Sequence, residues 1–181
     1  GTAAQLQQMM RNNVKVTYGD ANYAGSATIE NSAFNGNAAG QIGGAIYAEN
    51  TALSVTGTSF TDNMVAVDGK ANAGGAMYIN NSGEIVATIK DSTFTNNTAG
   101  YVGDVSSASD IVWSDGGAIA YGGGVLNIDN TQFVSNSAGM GGAISQRHTL
   151  DHAATDALNI TNSAFSGNMA NAGGAISTMR T

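Results

Sequence analysis

The hydrophobic positions of this chain recur in blocks with the step of a strand. Ala27 and Ile29, Leu53 and Val55, Ala87 and Ile89, Leu126 and Ile128, and Leu158 and Ile160 are five aliphatic pairs, each spaced by two. That spacing puts both members on one face of a strand. Five residues after the second member of each pair stands a phenylalanine: Phe34, Phe60, Phe94, Phe133 and Phe165. Five is an odd step, so an uninterrupted strand would turn the ring outward. The chain must therefore turn a corner in between. Three before each ring stand Asn31, Gly57, Asp91, Asn130 and Asn162, residue types that tolerate a left-handed backbone. One such residue returns the ring to the interior. The next position always carries a small hydroxyl: Ser32, Thr58, Ser92, Thr131 and Ser163.

Each ring is followed by an asparagine: Asn37, Asn63, Asn97, Asn136 and Asn168. Stacking would bring these side chains into register at the next corner, where each amide can donate to the carbonyl of the neighbouring coil. Gly-Gly-Ala-Ile or Gly-Gly-Ala-Met then follows, its glycine pairs at Gly43 and Gly44, Gly74 and Gly75, Gly116 and Gly117, Gly141 and Gly142, and Gly173 and Gly174. These glycines suit a tight turn and close backbone approach. Ile46, Met77, Ile119, Ile144 and Ile176 are expected to point inward from a third strand. Five strictly alternating motif pairs, the closest rings 26 residues apart, are the pattern of a solenoid. The fold expected is all-β, a right-handed parallel β-helix of about five to six coils. At about 4.8 Å per coil, five coils span roughly 24 Å. An α-solenoid would need apolar residues at i, i+3, i+4 and i+7, which the Gly- and Asn-rich units lack.

The first 18 residues read as an N-terminal cap and first strand, with residues 19–181 forming the coils of a single domain. Ala3–Asn13 reads as a short capping helix with Leu6, Met9 and Met10 on one side, before Val14, Val16 and Tyr18 alternate as the strand. The last residues stop just after a Gly-Gly-Ala-Ile, part-way into another coil, which gives the expectation of a fragment of a longer solenoid.

Composition narrows the function classes. Only 10% of residues are charged and the net charge is −7, with six Lys and Arg. No basic stripe for phosphate exists, so nucleic acid is not an expected partner, and anionic lipid surfaces are disfavoured. Proline and cysteine are absent, which suits hydrogen-bonded strands and excludes a disulfide framework. No cofactor is implied.

The alternation of Gly-Gly-Ala-Ile with Phe-x-x-Asn over residues 27–177 resembles the polymorphic membrane proteins of chlamydiae and related autotransporter passengers. The resemblance implies a secreted β-helical passenger displayed on the bacterial outer surface, commonly an adhesin. It also implies association of the two motifs with adhesion and self-association. The expected partner is then a host-cell or bacterial surface protein or glycan. Two alternatives stay open: an extracellular polysaccharide lyase or hydrolase built on a β-helix, and a self-assembling fibre subunit. An enzyme of that kind needs close carboxylates on one exposed strand face. The outward row here reads Glu30, Thr56, Lys90, Asp129, Thr161, which separates them.

Loops inserted between coils are where solenoids commonly bind. Residues 64–73 and 98–115 fall between Asn and Gly-Gly in successive coils and should stack on one corner, whereas 145–157 leaves from another. The 98–115 loop carries Tyr101, Asp104, Asp110, the single tryptophan Trp113, and Asp115. An aromatic beside carboxylates is a candidate glycan or peptide contact, set against a ring that merely covers its own loop. The aspartates match no dense calcium-loop spacing. His148 and His152, flanked by Asp151 and Asp156, lack a third ligand, and a structural or solvent-facing pair is the better reading. No metal site is expected. The sequons at Asn80, Asn96 and Asn159 are accounted for by chance in so Asn-rich a chain.

Overall fold

A computed structural model describes residues 14–17, 25–65, 72–100, 114–146 and 156–178. The described residues form short strands stacked into parallel sheets, one strand per coil, as a parallel β-helix. The aliphatic pairs lie in one sheet, where Gly25–Glu30, Thr51–Thr56, Val86–Lys90, Val125–Asp129 and Ala157–Thr161 pair in that order. The phenylalanines lie in a second, from Ala33–Asn35 to Ala164–Ser166. The residues after Gly-Gly-Ala form a third, from Ile46–Glu49 to Ile176–Thr178. Like pairs with like throughout: Phe60 lies opposite Phe94, and Ile89 opposite Ile128.

The corner before each ring is as read from the sequence. Asn31, Gly57, Asp91, Asn130 and Asn162 all have positive φ, between 44° and 59°. A second left-handed corner stands two residues after each ring, at Gly36, Asp62, Asn96, Ser135 and Gly167. With both corners in place the three-residue strand between them points its phenylalanine inward and its neighbours out. Phe60, Phe94 and Phe133 are fully buried. They share one core with Leu53, Val55, Ala87, Ile89, Leu126, Ile128, Met77, Ile119 and Ile144.

Two features differ from the three-strand coil expected. A fourth, two-residue strand follows each asparagine in four coils, at Ala38–Ala39, Met64–Val65, Thr98–Ala99 and Ser137–Ala138. Its inward residues Val65, Ala99 and Ala138 make a small separate core with Ala39 packed against it. Two residues are too few to show a period. The chain also enters through Val14–Thr17, which runs antiparallel to Gly25–Glu30, Val14 opposite Ile29 and Thr17 opposite Ser26. That strand pairs with the edge of the aliphatic sheet, one way to protect an edge. The helix expected over Ala3–Asn13 lies outside the described residues.

The glycine tetrads are where two coils approach most closely. The first glycine of each has φ between 61° and 69°. The second needs its missing side chain for another reason. A Cβ at Gly75 would overlap the carbonyl oxygen of Gly117, and one at Gly117 that of Gly142. Backbone packs on backbone there, so no side chain fits.

Tyr121 closes the third coil. It is buried, and its single hydroxyl proton is shared between the carbonyls of Gly124 and Ala157, the latter at 3.0 Å. Asp156 receives the Gly124 amide at 2.9 Å. Burial, and then the charge of Asp156, push the Tyr121 hydroxyl from 10.0 up to about 12.

Gly117→Ala forces a Cβ into two backbone neighbours and should cost upwards of about 3 kcal/mol or prevent folding. Gly40→Ala, with open space at its Cβ and no positive φ, should stay within about 0.5 kcal/mol in denaturant unfolding. Because the folded pKa of Tyr121 is raised, its stabilisation is whole below pH 10.0 and is lost as pH rises through about 12. Unfolding midpoints measured between those values should fall, and should fall less steeply in Tyr121→Phe.

Candidate functional site

The asparagine of Phe-x-x-Asn is the most completely bonded side chain of the coil. In the middle coil, Asn97 Oδ1 accepts from both the backbone N–H and the Nδ2 of Asn63, each at 3.0 Å. Its own Nδ2 donates to Asn136 Oδ1 at 2.9 Å and back to the Phe60 carbonyl at 3.0 Å. An amide side chain has two donors and two acceptor lone pairs, and here all four are used. Asn136 repeats the scheme with Asn97, Asn168 and the Phe94 carbonyl. Asn63 repeats it with Asn37, Asn97 and the Phe34 carbonyl. Asn63, Asn97 and Asn136 are fully buried. Aspartate has the acceptors and no donor; glutamine is a methylene too long. The residue type is therefore dictated by bonding.

Two further ladders run beside it. The phenylalanine rings stack coil on coil with centroids 4.6–5.0 Å apart and planes within 7°. The hydroxyl before each ring donates to the carbonyl two residues back, as Thr58 does to Thr56 at 3.0 Å and Ser92 to Lys90 at 2.7 Å. The same oxygen accepts the N–H of the preceding coil, as Ser92 does from Thr58 at 3.2 Å. The hydroxyl row was legible in the sequence; its bonding was not.

In the middle coils the motif residues thus face inward or lie backbone against backbone. That leaves the outward side chains of the strands at the surface. The spans 64–73 and 98–115 begin and end in paired strands. Met64–Val65 pairs with Thr98–Ala99, and Asn72–Ala73 with Ser114–Asp115. The flanks of the two spans thus stack coil on coil, and strand takes up residues at either end of each span read as loop. Tyr101, Asp104, Asp110 and Trp113 lie outside the described residues. Asp115 is described and is 5% exposed, with the Ser145 hydroxyl 3.3 Å from its Oδ1. Beside it in sequence, Ser114 receives the Gly139 N–H at 2.7 Å. Asn72, in register with Ser114, is buried with neither amide atom hydrogen-bonded. His148, His152 and Asp151 also lie outside the described residues.

The outward row of the aliphatic sheet is Glu30, Thr56, Lys90, Asp129 and Thr161 in neighbouring register. Asp129 is held below its ordinary 3.8, first by hydrogen bonds from Asn162 and Thr161, both at 2.8 Å, and also by Lys90. Each carboxylate in the row has Thr or Lys for its described neighbours. Of the sequon asparagines, Asn96 donates to Asp62 at 2.5 Å and Asn159 to Asn127 at 2.9 Å. Among the described residues no group of three His, Cys, Asp or Glu is placed to hold a metal, and no helix is long and apolar enough to cross a membrane.

The third sheet carries a feature the sequence reading missed. Tyr47 and Tyr78, in register on adjacent strands, stack at 5.6 Å with planes 12° apart. Tyr47 donates to Glu49 Oε2 at 3.0 Å. Burial, then the hydrogen bond and charge of Glu49, raise its pKa above 10.0. Extending the tetrad by one residue, to Gly-Gly-Ala-Ile-Tyr and Gly-Gly-Ala-Met-Tyr, would have exposed the pair.

Residues 31–49, from the first corner through the first tetrad, match the family model of the Chlamydia polymorphic membrane protein (Chlamydia_PMP) repeat. The chain therefore carries a repeat similar to those of a family associated with the outer membrane and cell surface. The same motif pair recurs in four further coils of the same geometry. No curated protein and no solved structure matches the chain.

Truncating one rung tests the ladder. Asn97→Ala leaves the buried Asn63 N–H without its partner and removes one of the two from the Asn63 amide nitrogen, and should cost about 3 kcal/mol in denaturant unfolding. Asn97→Asp, nearly isosteric and able to accept, should fail to rescue it at pH 7.

Proposed function

We propose that this β-helix is a non-catalytic, surface-displayed adhesin or interaction module of autotransporter-passenger type. The attachment it serves is to a host cell or to another bacterial cell. The observation that carries this reading is the match of residues 31–49 to the Chlamydia polymorphic membrane protein repeat, extended by four more coils built to the same plan. The physical form supports it. A stack of coils tied by internal ladders is a rigid rod whose outer side chains are free to vary, as an attachment surface requires.

The motifs serve adhesion indirectly on this reading. Buried Phe and Asn hold the outer faces and inserts in position, and contacts are made by those faces and by the inserts at 66–71 and 101–113. The outward row of the aliphatic sheet weighs against a polysaccharide-cleaving groove, since Thr and Lys separate its carboxylates.

A glycan-array and host-cell binding screen of the purified chain should return saturable binding. Substitution of Trp113 by Ala should weaken binding without lowering the unfolding midpoint by more than a few degrees. Absence of binding, together with release of unsaturated sugars from pectin-like substrates, would replace the adhesin with a lyase.

A further inference from the structure

We propose that the outer face at Tyr47 and Glu49 receives a basic side chain, lysine or arginine, of a protein partner. The inference rests on the interaction-module reading and names one of its contact points. Tyr47 and Glu49 are two apart on the strand Ile46–Glu49 and so share its outward face. Ala48, between them, is buried and anchors the strand to the core. Tyr47 is 48% exposed, a large aromatic left at the surface.

The group is held in place from two sides. Tyr78 stacks on the ring at 5.6 Å, and Glu49 Oε2 accepts the Tyr47 hydroxyl at 3.0 Å. An exposed aromatic ring attracts a cation through its quadrupole. A carboxylate fixed beside that ring supplies the counter-charge, so one ammonium or guanidinium can meet both. Little ordering is then left to the moment of binding.

Charge argues for the occupant. The chain carries −7 overall, which steers basic partners toward it. Lys90, the one cation whose side chain is described, lies on the aliphatic sheet, away from this face. Asn80, in register with Glu49, adds a neutral amide with an acceptor oxygen to the same face. A neutral sugar would gain from the ring and nothing from the net charge.

The test is a titration of the whole chain with a short peptide, acetyl-Gly-Arg-Gly-Arg-Gly amide, followed by NMR of the tyrosine rings. Saturable shifts at Tyr47 that weaken with added salt are expected. Tyr47→Ala and Glu49→Gln should each weaken binding about three- to fivefold, whereas Glu30→Gln, the same charge change on another sheet, should alter it less than twofold. Equal weakening by Glu30→Gln and Glu49→Gln would reduce the effect to diffuse charge and overturn the proposal. So would the absence of a saturable shift at Tyr47, or a salt-insensitive preference for an uncharged oligosaccharide. Failure of the module reading shows separately, as loss of cell attachment by the unsubstituted chain. If that chain attaches and Tyr47→Ala attaches equally well, this contact alone is wrong.

Discussion

A buried side-chain amide has four hydrogen-bonding positions, and leaving any of them empty inside a protein is costly. The asparagine ladder meets that demand by using the coils on either side. Asn97 is complete only because Asn63 and the Phe60 carbonyl lie on one side and Asn136 on the other. The ladder therefore fixes register. Slipping one coil by a single residue would strand the amides and turn every inward side chain outward. The stacked rings cannot supply this alone, because dispersion and hydrophobic burial are tolerant of small shifts.

The other constraints follow from that register. A ring directly above a ring requires the same corner before it in every coil, hence five residues with φ between 44° and 59°. An asparagine directly above an asparagine requires a second corner, and Gly36, Asp62, Asn96, Ser135 and Gly167 provide it. Coils in strict register bring the tetrads into contact, so the second glycine faces a carbonyl of the next coil. The repeated motif thus describes one solution to one packing problem, and its recurrence is enforced by the neighbouring coil.

Much of the scaffold was legible because parity is unambiguous. Two-residue spacing, an odd step and an αL-tolerant residue placed the first corner and the buried ring. The second corner was read at the asparagine, whereas its left-handed residue is the one before, where mixed chemistry such as Ser135 does not announce a positive φ. The two-residue fourth strand was hidden by its length, and Ala38–Ala39 carries no periodic signal. The direction of Val14–Thr17 was also beyond the pattern, because alternation is the same for parallel and antiparallel pairing. Surface features were legible only in part. The pairing of the strands that flank the two long spans followed from their place in the repeat, while the stacking of Tyr47 on Tyr78 needed the tetrad read one residue further. Asp115, read as a loop carboxylate, is nearly enclosed because the strand that bears it begins within the span read as loop.

The structural role of Phe-x-x-Asn has a direct readout in native-state hydrogen exchange. The backbone amides of Asn63, Asn97 and Asn136 each donate to the side-chain oxygen of the next coil's asparagine. They should be among the slowest in the molecule, exchanging only on global opening. Exchange of these three amides as fast as that of the exposed Gly83 would contradict the ladder as the element that sets the coils.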